Sequence, residues 1–451
     1  MIKYRFFWTW DHSTNWCLTV SGRQNCGVAN SYAKDPKVFV KDYKRAIDWC
    51  ADHKMTAMGS VGFLRDAHGG VDSAREICAY AQERGVKMYI IAGLFSYGGI
   101  YYEGNSQWSL DQFFKKNPDC IGINAQGERM IWKQPSVKFG YNYITTGCPS
   151  DPKLNQYVLD SLDWLFKTLP ELGGIQMETG DVGICMCDRC RERRNAAGMS
   201  ENTSESFNDM ARIYARAANV IWNRNPDALV ICESYHHFLD EDCQKFFNVK
   251  TLSPELKDLL ELPGKTFWQW KCDRRLASGE WKGESLPECL KKFNHVMRAH
   301  SGTQWWGGRH TLAVDLIRKQ CLLSCKSGLN GVSIFGEGAP YHTNVEFNYL
   351  ALEYFADHPE ASLESFVSDV MAPRLGGLEQ AAKYLEFGNL NDAPEKIPAA
   401  AVEIAHILHG MNDYEVIRRW EYLSSFLNAY YWESQQTGYE KRVESKNNNM
   451  L

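Results

Sequence analysis

A (β/α)8 barrel followed by a C-terminal helical region is the fold class that the 451-residue sequence predicts, and three observations carry it. Short apolar runs alternate with helical patterns through eight units, as a closed parallel barrel requires. Beyond Tyr341 strand-like patterning stops and only helical patterns follow. One apolar run, Gly174 to Glu178, breaks off into two acids, Glu178 and Asp181, and then into three closely spaced cysteines. A buried strand that ends this way delivers polar groups to the rim where parallel α/β enzymes place their working residues.

Taken in order, Ile2 to Asp11 reads as the first strand, and residues 35 to 54, with Phe39, Tyr43, Ile47 and Cys50 at helical spacing, as the helix after it. Thr56 to Asp66 and then Val71 to Gly85 make the second unit, whose helix stops on a glycine. Lys87 to Phe95 is the third strand. Its exit, as far as Cys148, is long and rich in Gly, Tyr, Asn and Trp, with one helix-like patch at Leu110 to Lys116. Such long loops in compact domains usually serve as lids or binding loops.

Pro152 to Leu169 leads as a helix to the fourth strand, Gly174 to Glu178. A helix from Ser204 to Trp222 precedes a fifth strand, Ala228 to Tyr235, and Lys265 to Trp270 reads as the sixth. The pattern then predicts a helix over Leu286 to His300, a seventh strand at Thr303 to Trp306, a helix over Leu312 to Ser327 and an eighth strand at Gly331 to Phe335. Helical patterns at Val345 to Asp357, Ser362 to Met371, Leu378 to Phe387 and Ile397 to Ser434 complete the chain. The expected division is a catalytic barrel over residues 1–356 and a helical region over 357–451, with a polar, frayed end.

Composition narrows the function. Hydrophobic residues at 44% and charged residues at 23% describe a globular chain. A formal net charge of -5 gives no electrostatic reason to expect nucleic acid or an anionic membrane as partner, which leaves a small substrate such as a carbohydrate. The 15 Trp would suit sugar stacking, although large barrels also use such residues for packing. No apolar stretch is long enough to cross a bilayer, and the N-terminus lacks the sections of a signal peptide, so the chain reads as cytoplasmic. An odd number of cysteines, 15, scattered through core segments fits reduced thiols better than a disulfide framework. Assembly into a homo-oligomer is left open.

The strand ends would gather acids, histidines and aromatics at one mouth. Glycosidic cleavage needs one carboxylic acid to protonate the leaving oxygen and a second carboxylate as nucleophile or base. Glu178 is the first choice for the acid because it closes a strand, where positioning is most rigid, and Asp11, Asp181 and Glu337 are candidates for the second role. Each could also be a capping or structurally paired acid. His12 stands beside Asp11 to share a proton or a hydroxyl. Arg65, Asp66 and His68 lie within one turn, where a fixed guanidinium could grip a substrate carboxylate or simply pair with Asp66. Tyr97, Glu233, Arg309, His310 and Tyr341 are further candidates for substrate binding, and Trp10, Trp268, Trp270 and Trp306 for sugar platforms.

Cys185, Cys187 and Cys190 form C-x-C-x-x-C after the fourth strand. Three thiolates so spaced can wrap a structural zinc, with the fourth ligand from elsewhere, for example Cys148 or a histidine; packed free thiols are the alternative. No other cofactor is called for.

The strand ending in GGIQMETGD with CMCDRC behind it, the opening FFWTWDH and the terminal SIFGEGAPYHTNVEFNYLALEYFADHPEASLESFVSDV together resemble barrel-type glycoside hydrolases of the hexosaminidase and α-glucuronidase kind. The resemblance implies an acid closing the fourth strand and a barrel passing into helices. The paired Asp-Glu of substrate-assisted hexosaminidases is absent, since Met177 precedes Glu178. A second resemblance, to an inverting sialidase family, would match Asp11 to its base, but Tyr101 to Ser150 holds no histidine. The expected activity is therefore an exo-acting glycoside hydrolase. A sialidase-like hydrolase, a metal-dependent isomerase or lyase, and a non-catalytic carbohydrate-binding barrel are the alternatives.

Overall fold

The computed structural model describes residues 1–10, 35–136, 140–178, 184–196, 209, 211–237, 254–272, 286–299, 312–335 and 346–435. They fall into two compact units, a barrel that closes with Gln320–Phe335, and a helical unit that includes residues 346–435.

Eight parallel strands close the barrel: β1 (Tyr4–Trp10), β2 (Ala57–Val61), β3 (Lys87–Gly93), β6 (Gly174–Glu178), β7 (Leu229–His237), β8 (Phe267–Lys271), β9 (Asn294–Ala299) and β10 (Gly331–Phe335). Their order around the wall is β1-β10-β9-β8-β7-β6-β3-β2. An antiparallel hairpin, β4 (Ile131–Ser136) and β5 (Gly140–Thr145), lies in the long exit of β3. It went unpredicted, because a two-stranded ribbon in a polar loop leaves little hydrophobic periodicity.

Strands of a parallel barrel are covered on both faces and so read as apolar runs. Their side chains nonetheless alternate between lumen and helix layer. Phe6, Trp8, Ala57, Val61, Tyr89, Ile91, Ile231, Phe267 and Val296 form one buried cluster, which is the lumen filling. Tyr4 meets Phe267 edge-on at 4.8 Å between ring centroids, and Phe6 tilts against Tyr89 at 5.7 Å. The helices start where their caps dictate. Asp35 accepts from the Lys37 amide to open α1 (Pro36–Asp52), and Asp151 accepts from the amides of Lys153 and Leu154 to open the helix Pro152–Thr168. The inner face of α1 buries Phe39, Tyr43, Ile47 and Cys50, as its spacing predicts. Between β2 and β3, α2 (Gly70–Glu83) is followed by Gly85 at φ 73°, a left-handed backbone that suits glycine.

One unit differs from the sequence expectation. The seventh strand is β9, Asn294–Ala299, which pairs with β8 through Phe267↔Asn294 and with β10 through Val296↔Gly331. The expected helix over this stretch is a single turn at Glu288–Leu290 running into that strand. Leu286, Leu290, Phe293 and Met297 imitate helical spacing because a strand buried on both faces lacks the alternation that would betray it. Thr303 to Trp306 lie outside the described residues. The second strand is also shorter than expected, ending at Val61, so Arg65 and Asp66 belong to the loop beyond it.

In the helical unit, Glu346–Asp357, Leu378–Phe387, Ile397–His409 and Tyr414–Ser434 are the longer helices. Trp420 is fully buried, meets Tyr384 edge-on at 5.1 Å and donates its indole N–H to the Leu375 carbonyl. Glu346 is ion-paired to Arg418 and Arg419. Among the described residues no helix is long and apolar enough to cross a membrane.

Two stability predictions follow from this packing. A β-carbon at Gly59 would overlap the ring of Tyr89, so Gly59→Ala should cost about 1–3 kcal/mol, read as a lower urea midpoint. An unchanged midpoint would mean that the phenol ring yields freely. His295 accepts at Nδ1 from the Trp270 indole and faces the Leu290 carbonyl with Nε2, which fixes the neutral tautomer, and burial holds it down at about 4 from the usual 6.5. Between those values the unfolded chain takes up a proton that the folded chain refuses. The stability linked to His295 is therefore complete above pH about 6.5 and declines as pH falls toward 4, with a slope up to about 1.4 kcal/mol per pH unit. His295→Gln should flatten that slope in denaturation measured across the window; an equally steep slope would contradict it.

Candidate active site

Lumen-facing residues on four neighbouring strands form a polar network above the aromatic filling. On β6, Gln176 and Glu178 are two apart and therefore share a face. Gln176 donates its amide to Glu178 Oε1 at 2.8 Å and to Glu233 Oε2 at 3.4 Å. From β8, Gln269 donates to the same Glu233 oxygen, and from β9 the Arg298 guanidinium stands 3.6 Å from it. Glu233 is fully buried. Arg298 also lies over the Trp8 ring, 5.7 Å from its centroid.

The two carboxylates differ in access. Glu178 ends its strand and keeps 7% of its surface exposed, whereas Glu233 keeps none. One amide nitrogen, that of Gln176, thus bridges the two carboxylates. Behind the wall, the Tyr214 hydroxyl donates to the carbonyls of Met177 and Glu233, bolting β6 to β7 next to both acids. Burial, and then the charges of Glu178 and Glu233, hold the Tyr89 phenol well above its usual value, so it stays protonated. For Tyr214, burial, Cys232 and the same two acids do the same.

Other sequence candidates are placed elsewhere. Arg65 pairs with Glu103 at 2.8 Å, both largely buried, and stacks on Tyr102 at 4.7 Å, so its charge is already engaged by a carboxylate that the sequence reading did not single out. Asp66 does not pair with Arg65; it accepts from the Tyr101 hydroxyl and the Asn105 amide, which ties the loop after β2 to the exit of β3. His68 is fully buried and stacked on Phe39 at 4.4 Å, facing α1 instead of the mouth. Trp268 and Trp270 alternate with the lumen residues Phe267 and Gln269, so they point into the helix layer, fully buried, and present no face to a sugar. Tyr97 packs against the lumen cluster in a left-handed conformation, φ 52°, a backbone state that non-glycine residues rarely adopt. Asp11, His12, Asp181, Trp306, Arg309, His310, Glu337 and Tyr341 lie outside the described residues, as does the side chain of Trp10.

The four cysteines nominated from the sequence converge. The sulfur atoms of Cys148, Cys185, Cys187 and Cys190 all lie within 4.8 Å of one another, beside the loops that leave β5 and β6.

No family model matches the chain, and no curated protein does. Among solved structures it superposes on a GH138 enzyme targeting the pectin rhamnogalacturonan II with a TM-score of 0.54 at 10% identity, covering 96% of this chain and 57% of that one. The chain has the glycoside hydrolase-like (β/α)8 fold. The chain spans little more than half the length of that GH138 enzyme. Weaker superpositions are found with a β-N-acetylhexosaminidase, TM-score 0.48, 12% identity, covering 83% of this chain and 76% of that one. An exo-β-N-acetylglucosaminidase of family GH20 from Vibrio harveyi gives 0.43 at 13% identity, with 86% and 58% covered.

The polar groups of this barrel that sequence reasoning missed are Gln176, Gln269 and Arg298. Their signal is a polar residue two positions from another lumen residue inside an apolar run, as in GIQME, FWQWK and NHVMRA. Since Glu233 and Arg298 are buried together, Arg298→Met should destabilise the barrel by about 3–5 kcal/mol through an uncompensated carboxylate. Adding Glu233→Gln should recover part of that loss in urea denaturation. A strictly additive double variant would contradict the coupling.

Proposed function

We propose that the chain is a glycoside hydrolase that cleaves a terminal sugar at the mouth of the barrel, with Glu178 as the general acid. The observation that carries this reading is the place of Glu178: a lumen carboxylate at the end of the fourth barrel strand, oriented by Gln176 and with 7% of its surface exposed. A general acid must hold its proton until the leaving oxygen needs it.

Glu233 itself is a positioning residue in this account. Its Oε2 is already engaged by Gln176, Gln269 and Arg298, and the group is closed to substrate. Its charge fixes the Gln176 amide, which in turn fixes Glu178. The second catalytic carboxylate is assigned to the set nominated by the sequence, Asp11, Asp181 and Glu337. Tyr97, held at the rim, is assigned to substrate contact. The (β/α)8 barrel fold together with this acid supports the substrate class, and terminal, exo attack is proposed with it.

Replacing Glu178 with Gln keeps the Gln176 contact and removes the proton. Turnover of glycosides with poor leaving groups should fall by about 10²–10⁴-fold, while aryl glycosides whose leaving group needs no proton lose far less. Circular dichroism and the urea midpoint should stay close to those of the parent. Equal loss for both substrate types would remove the acid role from Glu178, and unchanged turnover would remove Glu178 from the mechanism altogether.

A further inference from the structure

We infer that Cys148, Cys185, Cys187 and Cys190 bind one Zn²⁺ as four thiolates, and that this ion staples the loop leaving the third barrel strand to the loop leaving the fourth. The spacing of the sulfurs carries the assignment. Cys148 Sγ lies 3.7 Å from Cys187 Sγ and 3.7 Å from Cys190 Sγ, and no pair in the group exceeds 4.8 Å. Tetrahedral zinc with bonds of about 2.3 Å places its sulfurs about 3.8 Å apart. Disulfides would instead join the sulfurs two by two at about 2.05 Å. Four thiols gathered at one point, three of them buried, match a closed structural site with no open position for substrate.

The backbone is built for the purpose. Cys187 precedes the helix Asp188–Ala196 and Cys190 lies in its first turn, where the amides of Cys190 and Arg191 both donate to the Cys187 carbonyl. Outside the sulfurs, Ser150 Oγ lies 3.1 Å from Cys190 Sγ and is itself held by Arg193. Arg193 and Arg189 stand beside the cluster, each paired to a carboxylate, Asp209 and Asp151 respectively. Buried Arg194 anchors the module by donating to the Cys185 carbonyl while paired with Asp209.

The loops so joined lead directly to the lumen acid. Gly147, the residue before Cys148, donates to the Phe95 carbonyl just beyond β3, and the Leu94 amide donates to the Glu178 carbonyl. On the other side the Met186 amide donates to the Ile123 carbonyl, and Cys185 follows Glu178 by seven positions in the chain. The ion would therefore fix the exits of both strands without touching substrate. Its presence does not depend on the proposed hydrolase activity.

The test is metal analysis of the full chain purified without chelator. One zinc per chain is expected, released in step with modification of four thiols by an organomercurial and read with a zinc-binding dye. Reconstitution with Co²⁺ alone should give an intense thiolate-to-cobalt charge-transfer band together with the visible bands of a tetrahedral ion. Cys148→Ser should lower zinc content at least tenfold or abolish the tetrathiolate spectrum. Should that variant fail to fold, the mercurial titration of the parent chain decides alone. A chain that holds no zinc, takes up no Co²⁺ and shows these thiols reactive or oxidised would overturn the inference, as would zinc released without loss of those thiols or iron in place of zinc.

Discussion

Closing eight parallel strands into a barrel leaves each strand side chain two destinations, the lumen or the helix layer, and a charge sent to the lumen must find its partners there. Glu233 is such a charge, fully buried on β7. A lone carboxylate in that position would be prohibitively expensive, and its solution is spread over three strands: Gln176, Gln269 and Arg298 converge on one oxygen. The same Gln176 amide then holds Glu178, so the accessible acid inherits its orientation from the buried one. Lower in the lumen, the contacts among Tyr4, Phe6, Tyr89 and Phe267 provide the apolar floor on which this network rests.

Around this centre the loops are tied down by specific partners. Arg65 with Glu103, and Asp66 with Tyr101 and Asn105, fasten the exit of β2 to that of β3. Tyr214 locks β6 to β7 from outside the wall. The four cysteines occupy the equivalent place between the exits of β3 and β6, and the inferred zinc would perform there what ion pairs and hydroxyls perform elsewhere. These contacts on several sides of Glu178 keep the strand end that carries it from drifting.

Much of the barrel was legible because seven of its strands are short apolar runs set off by turn residues and capped helices. The seventh strand in order, β9, was not, since a strand covered on both faces loses its alternation and Phe293, Val296 and Met297 fit a helix equally well. At the site, Glu178 was legible as a polar stop at the end of an apolar run, and the cysteines by their spacing. The partners were not. Gln176, Gln269 and Arg298 gain their meaning from register across strands, which no single run displays. Trp268 and Trp270 misled for the same reason: composition says that an indole can stack on a sugar, but only the parity set by Phe267 and Gln269 says that these two face the helices. Arg65 found its counter-charge in Glu103, 38 residues away, where local spacing had offered Asp66.

The most direct test of the central claim is hydrolysis by the unmodified chain of a panel of synthetic aryl glycosides, uronides and sialosides included, with the anomer of the first-formed sugar read by NMR. The account predicts release of aglycone from at least one terminal glycoside, with a rate that falls at high pH as the general acid loses its proton. Sugar binding by calorimetry without release of any aglycone across the panel would contradict it and leave the barrel a carbohydrate-binding scaffold.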